Sequence, residues 1–146
     1  MAAEHRDFYE HLNISINYWL EQKGVDHPFA KHIKWAPELF KLACSLSLER
    51  SVILEDKGKL AVAVAYFISP FDLFPEALTG VIGYADDLVL LALVLKDTVN
   101  HTDSTLLSKY WKNDTDIKAI IDEILLDAEE MIGAYMFQKL RDLIDY

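Results

Sequence analysis

Four carboxylates, Asp72, Glu76, Asp86 and Asp87, fall within residues 60–95, a stretch that contains no Lys, Arg or His. The nearest bases in the chain are Lys59 and Lys96, one at each end. If the stretch folds as an antiparallel helical hairpin, both lysines lie at its open end and the acids lie around the connection. At 1.5 Å per helical residue the gap between them is about 14 Å or more, which no lysine side chain covers. An unpaired buried carboxylate is costly, so each must meet backbone N–H groups, water, a base from elsewhere or a cation. Carboxylates converging at the mouth of a hairpin suit a hard cation such as Mg²⁺ or Mn²⁺. On that reading Asp72, Asp86 and Asp87 are the candidate metal ligands, with Glu76 beside them. The spacing is not that of a calcium loop, which needs ligands at alternate positions and a closing Glu.

A structural reading accounts for the same residues without a ligand. Ser69 suits an N-cap, Pro70 the first helical position and Asp72 the third, where a carboxylate meets free N–H groups and the positive end of the helix dipole. Pro75 and Glu76 repeat the device one turn later. Gly80 and Gly83 free the backbone for the return turn. Asp86 and Asp87 stand where the next helix begins, one placed to cap it and the other to favour its dipole. A third use of the acids is to face a protein partner.

The elements that must position these groups are helical, since no run alternates as a strand does. Phe8, Leu12, Ile16, Trp19 and Leu20 share a helical face that Gly24 ends. Pro37 opens a second helix lined by Leu39, Leu42, Ala43 and Leu46. Helices over about 56–68 and 86–100 are apolar nearly all round, which marks burial on several sides. Asp103 or Ser104 caps a short helix through Trp111. Thr115 caps the next, where Ile117, Ile120, Ile121, Ile124, Leu125, Ala128 and Ile132 form the clearest amphipathic stripe, and Gly133 breaks it before a last helix with Phe137, Leu140 and Ile144. The expected architecture is all-α, a compact multi-helix bundle around a central apolar helical hairpin, in a single domain over 1–146.

Other catalytic patterns are missing. His5, His11, His27, His32 and His101 form no His-x-x-x-His or His-Glu-x-x-His spacing. His27 and His32, near Pro28, read as exposed. No Gly-x-Ser-x-Gly elbow and no Walker pattern occurs. Cys44, the single cysteine, borders the apolar face of the second helix and reads as a buried, inert thiol. Trp19, Trp35 and Trp111 read as core or core-edge residues. Asp122, Glu123, Asp127, Glu129 and Glu130 read as a solvated helix face, or as a docking surface for a basic partner. No residue is assigned a catalytic role.

Ala65-Tyr66-Phe67-Ile68-Ser69-Pro70-Phe71-Asp72-Leu73-Phe74-Pro75-Glu76, followed by Gly83-Tyr84-Ala85-Asp86-Asp87, resembles the signature of YkvA-like proteins, a bacterial domain of unknown function. That pattern is an aliphatic helix, Ser-Pro-aliphatic-Asp-Leu-aliphatic-Pro-acid, Gly-Tyr-x-Asp-Asp and a second apolar helix. Ser69, Pro70, Pro75, Gly83 and Tyr84 are its structural positions here. Phe71 and Phe74 replace aliphatic residues. The resemblance covers a core of about 57–96 and leaves 1–35 as a helical extension. It implies an all-α domain and no activity, because the family has no established catalytic residues. Some relatives place this hairpin near or in membranes, which implies a membrane-associated alternative.

The chain has 146 residues, 14 basic and 24 acidic, for a net charge of −10. Nucleic-acid binding needs clustered Lys and Arg, and an anionic membrane surface repels such a chain. Leu60–Phe71, twelve residues, is the longest charge-free stretch, well short of the ~20 that span a bilayer. The start of the chain has no signal-peptide core, so the expected location is the cytoplasm. The leading expectation is a non-enzymatic helical interaction or regulatory module with a protein partner, basic if it meets the acidic face, and no cofactor. A divalent-metal-dependent hydrolase-like enzyme and a peripheral membrane protein that inserts the apolar hairpin are the alternatives.

Overall fold

The computed structural model describes residues 3–22, 27–68 and 84–145. These residues are helical, with no strand among them: α1 (Ala3–Gln22), α2 (Ala30–Ile33), α3 (Ala36–Ser47), α4 (Leu54–Ile68), α5 (Ala85–His101), α6 (Ser104–Tyr110), α7 (Ile117–Leu126), α8 (Ala128–Ile132) and α9 (Ala134–Ile144). The all-α architecture expected from the sequence is the one observed.

α5 is the axis of the bundle. It packs against α3, α4, α7, α8 and α9. Its run Leu88–Ala92 is fully buried, followed by Val94, Leu95, Thr98 and Val99, as an all-round apolar helix requires. α4 lies beside it and also packs on α3, which in turn carries α1. Two contacts fix α4 and α5 as an antiparallel pair. At one end Phe67 stacks on Tyr84, with ring centroids 5.4 Å apart and planes 19° from parallel. At the other, Asp56 Oδ2 meets His101 Nδ1 at 3.0 Å.

Phe67 continues into an aromatic cluster. Phe40 of α3 lies 5.7 Å from it and Phe8 of α1 lies 5.9 Å from it. Leu12 and Ile16 of α1, both buried, extend this layer. Such rings bring large apolar area and edge-to-face attraction together, so α1 is anchored by one face only.

Several local expectations are corrected. α7 starts after Asp116, not Thr115, because the Trp111 indole N–H donates to the Thr115 carbonyl at 2.9 Å and holds that residue outside the helix. The long helix expected through Ile132 is interrupted at Asp127, whose side chain is tied elsewhere. A short helix, α2, precedes α3. Gly133, at φ 87° and ψ 151°, makes the expected break before α9, in a backbone region that side chains exclude. α4, expected to be buried on several sides, packs on α3 and α5 but is left open on another face. Ala61, Val62 and Ala65 face solvent.

Candidate functional site

Asp86 and Asp87 occupy the second and third positions of α5, after Tyr84 at the cap position. Both are buried, 1% and 0% exposed, and both are engaged by other groups of the protein. In this first turn the helix dipole favours negative charge, as the sequence suggests. The capping half of that reading is corrected: the cap is Tyr84, which contributes no side-chain hydrogen bond to the helix end. Tyr84 is instead the ring that closes the hairpin against Phe67. Asp72, Glu76, Ser69, Pro70, Pro75, Gly80 and Gly83 lie outside the described residues. Among the described residues no group of three or more His, Cys, Asp and Glu side chains could hold a metal ion. Asp86 and Asp87 therefore form no complete ligand set with described residues alone.

The lysines that bracket the acidic stretch are used locally. Lys59 Nζ pairs with Glu55 at 3.6 Å, and Lys96 Nζ with Asp122 at 3.4 Å.

Two acid–histidine contacts were not legible in the sequence. Asp56, in the first turn of α4, is 3% exposed and bonds His101 at the last position of α5. The hydrogen bond to Asp56, then its charge, raise the His101 pKa, and Asp97 and Glu55 add to the effect. His32, expected to be exposed, is 2% exposed, because α2 packs it against α7 and the following turn. Its Nε2 lies 2.7 Å from Asp127 Oδ2, and Lys31 Nζ reaches the same oxygen at 3.5 Å. His32 and then Lys31 hold the Asp127 carboxyl below its ordinary range. No spacing rule finds either pair, since the partners lie far apart in sequence.

The Cys44 thiol is fully buried, and burial pushes its pKa up to about 12, so it is neither a nucleophile nor a metal ligand at neutral pH. Asp122, Glu123, Glu129 and Glu130 are exposed, as a solvated face should be, while Asp127 leaves that face for His32. Trp19, Trp35 and Trp111 are partly buried at the core edge.

α4 exposes a face that the sequence did not anticipate. Leu54 is 84% exposed and Val62 46%, with Gly58, Ala61 and Ala65 also open. A cavity of about 390 Å³ runs along one flank, lined by Leu54, Gly58, Val62, Leu143 and Ile144 together with the Glu55–Lys59 pair. A second, of about 370 Å³, runs along the other flank beneath Ala61, Ala65 and Ile68, bounded by Glu4, His5 and Ser47.

Comparison with known proteins places this hairpin in a wider group. Residues 56–93 match the model of a family described as "Protein of unknown function (DUF1232)". The chain is similar to the uncharacterized protein ORF9 of Methanothermobacter thermautotrophicus, 26% identical over 102 residues, covering 70% of each chain. A stretch of 33 residues is 52% identical to part of the E3 ubiquitin-protein ligase RNF170 of Xenopus laevis, covering 23% of this chain and 13% of the ligase. No solved structure matches the chain.

Proposed function

We propose that this chain, whose residues 56–93 belong to the DUF1232 family of unknown function, is a non-enzymatic helical interaction module that works through the outer face of α4. One observation carries the reading. A helix within the matched segment presents Gly58, Ala61, Val62 and Ala65 to solvent, and from Leu60 to Ile68 it has no charged residue. An apolar face of this kind on a chain that is 26% charged supports a contact role. The inert Cys44 and the histidines tied up by Asp56 and Asp127 fit a binding role better than a catalytic one. Site-specific photocrosslinking in cells tests it. Discrete protein adducts from position 62, and none from exposed position 138 on α9, support the reading. No adduct, or equal yield from both positions, removes it.

The divalent-cation reading is kept on one observation, the burial of two successive carboxylates, Asp86 and Asp87. Mg²⁺ or Mn²⁺ would then raise the melting temperature and a chelator would lower it. The absence of any shift across divalent ions would end that reading.

A further inference from the structure

We infer that the cavity among α5, α6 and α7 is a binding site for a free α-amino acid with an apolar side chain. The inference is independent of the α4 face. The cavity measures about 310 Å³, and Val99 at the end of α5, Leu107 of α6 and Ile117 of α7 supply its apolar lining. Trp111 forms a wall that is held in advance. Its indole N–H donates to the Thr115 carbonyl at 2.9 Å, and its ring lies 6.0 Å from that of Trp35. A wall fixed before binding is not ordered at the ligand's expense.

Asp116 and Lys118 bring one charge of each sign to the same cavity. Asp116 stands at the cap position of α7 yet makes no side-chain bond to the helix end. Lys118 also lines a smaller cavity of about 110 Å³ that shares Val99, where Asp122 is already paired with Lys96 at 3.4 Å. Among the described residues neither Asp116 nor Lys118 forms an ion pair. The hydroxyls of Thr102, Ser104 and Ser108 complete the polar lining. That of Thr102 donates to the Thr98 carbonyl, so toward a ligand it acts as an acceptor.

These groups select among ligands. An anion paired with Lys118 brings its charge against Asp116, and a cation paired with Asp116 meets Lys118. An uncharged apolar molecule takes both side chains out of water without a partner, which is costly. A zwitterion satisfies both through charge-assisted hydrogen bonds, its ammonium on Asp116 and Thr102 and its carboxylate on Lys118 and the serine hydroxyls. An α-amino acid carries its two charges on one carbon, and Asp116 and Lys118 carry theirs two residues apart at one helix end. Its side chain then lies on Val99, Leu107 and Trp111. The volume is at the low end of small-molecule sites, roughly 300–1,000 Å³, so it suits a single amino acid rather than a longer chain.

Proton–nitrogen NMR of the full chain, titrated with L-phenylalanine, tests the inference. The Trp111 indole N–H signal, identified by its loss in Trp111→Phe, should shift saturably. Phenethylamine, which lacks the carboxylate, and 3-phenylpropionate, which lacks the ammonium, should each bind about tenfold or more weaker. Lys118→Met should weaken L-phenylalanine to a similar degree and leave phenethylamine no weaker. Asp116→Asn should weaken L-phenylalanine likewise and leave 3-phenylpropionate no weaker. Both residues are exposed, so neither change touches the core. Glu129→Gln, on α8, should leave binding at the wild-type value. No saturable shift at millimolar L-phenylalanine overturns the inference. So does a one-charge analogue that binds as tightly as the amino acid, or a shift indifferent to both charge substitutions. Saturable binding that leaves the Trp111 signal unmoved overturns it as well, since the ligand then sits elsewhere.

Discussion

His32 Nε2 and Asp127 Oδ2 meet at 2.7 Å across 95 residues of sequence, with the imidazole 2% exposed and the carboxylate 26%. This contact joins α2 to the turn where α7 gives way to α8, and it explains why that helix breaks where its apolar stripe continues. The Asp127 carboxyl is held below its ordinary pKa by His32 first and Lys31 after it. A depressed carboxylate pKa contributes stability that is present above the unfolded value, about 3.9, and is lost as pH falls through the folded one. Asp127→Asn should therefore lower the melting temperature at neutral pH. It should also flatten the decline that the wild type shows below about pH 4. Parallel acid limbs for the two proteins would show that this pair contributes nothing.

The opposite sign holds at the open end of the hairpin. His101 is raised by its hydrogen bond to Asp56, with Asp97 and Glu55 acting in the same direction. Its contribution is complete below the unfolded histidine value, about 6.5, and fades as pH rises through the folded value. Asp56→Asn should remove the stability loss that the wild type shows as pH rises from the unfolded histidine value, about 6.5, through the raised folded one. Melting curves taken across that interval decide it. An unaltered slope in the variant means that the pair does not hold α4 to α5.

The helices were legible because their apolar residues recur at helical spacing, and α5 is buried all round as its composition demands. The same logic overreached for α4. An apolar composition all round predicts burial on several sides, yet Val62 and Ala65 lie exposed. His32 read as exposed because it lies close to Pro28, whereas its environment is set by Asp127. Asp56 drew no reading beyond the approximate start of a helix, since its partner His101 lies 45 residues on. Asp86 and Asp87 were placed correctly at a helix start. Tyr84 in the cap position was not foreseen, because tyrosine caps no helix by its own chemistry; ring stacking put it there.

Two glycines should respond to alanine in opposite directions. Gly133 sits at φ 87° and ψ 151°, a region closed to side chains, so Gly133→Ala should cost about 1–3 kcal/mol. Gly58 lies within α4 with open space around its missing Cβ, so Gly58→Ala should stabilise the protein by about 0.5–1 kcal/mol. Urea unfolding at low protein concentration measures both. Loss of stability in Gly58→Ala would mean that the helix face is already occupied within the chain.

Phe67 and Tyr84 test whether the family-matched hairpin is closed by ring contact. Phe67 is 1% exposed and touches Phe8 and Phe40 as well as Tyr84, so Phe67→Ala should cost about 3–5 kcal/mol through lost burial and the cavity left behind. That loss alone does not isolate the stack, because three ring contacts go at once. A double-mutant cycle with Phe67→Leu and Tyr84→Leu keeps most of the volume and removes the paired rings. It should return a coupling of about 0.5–1.5 kcal/mol, the range for aromatic pairs beyond area burial. Tyr84→Phe should retain that coupling, since the ring is kept. If the cycle closes at zero, the hairpin is held by apolar burial alone, and Tyr84 owes its position to its other contacts rather than to Phe67.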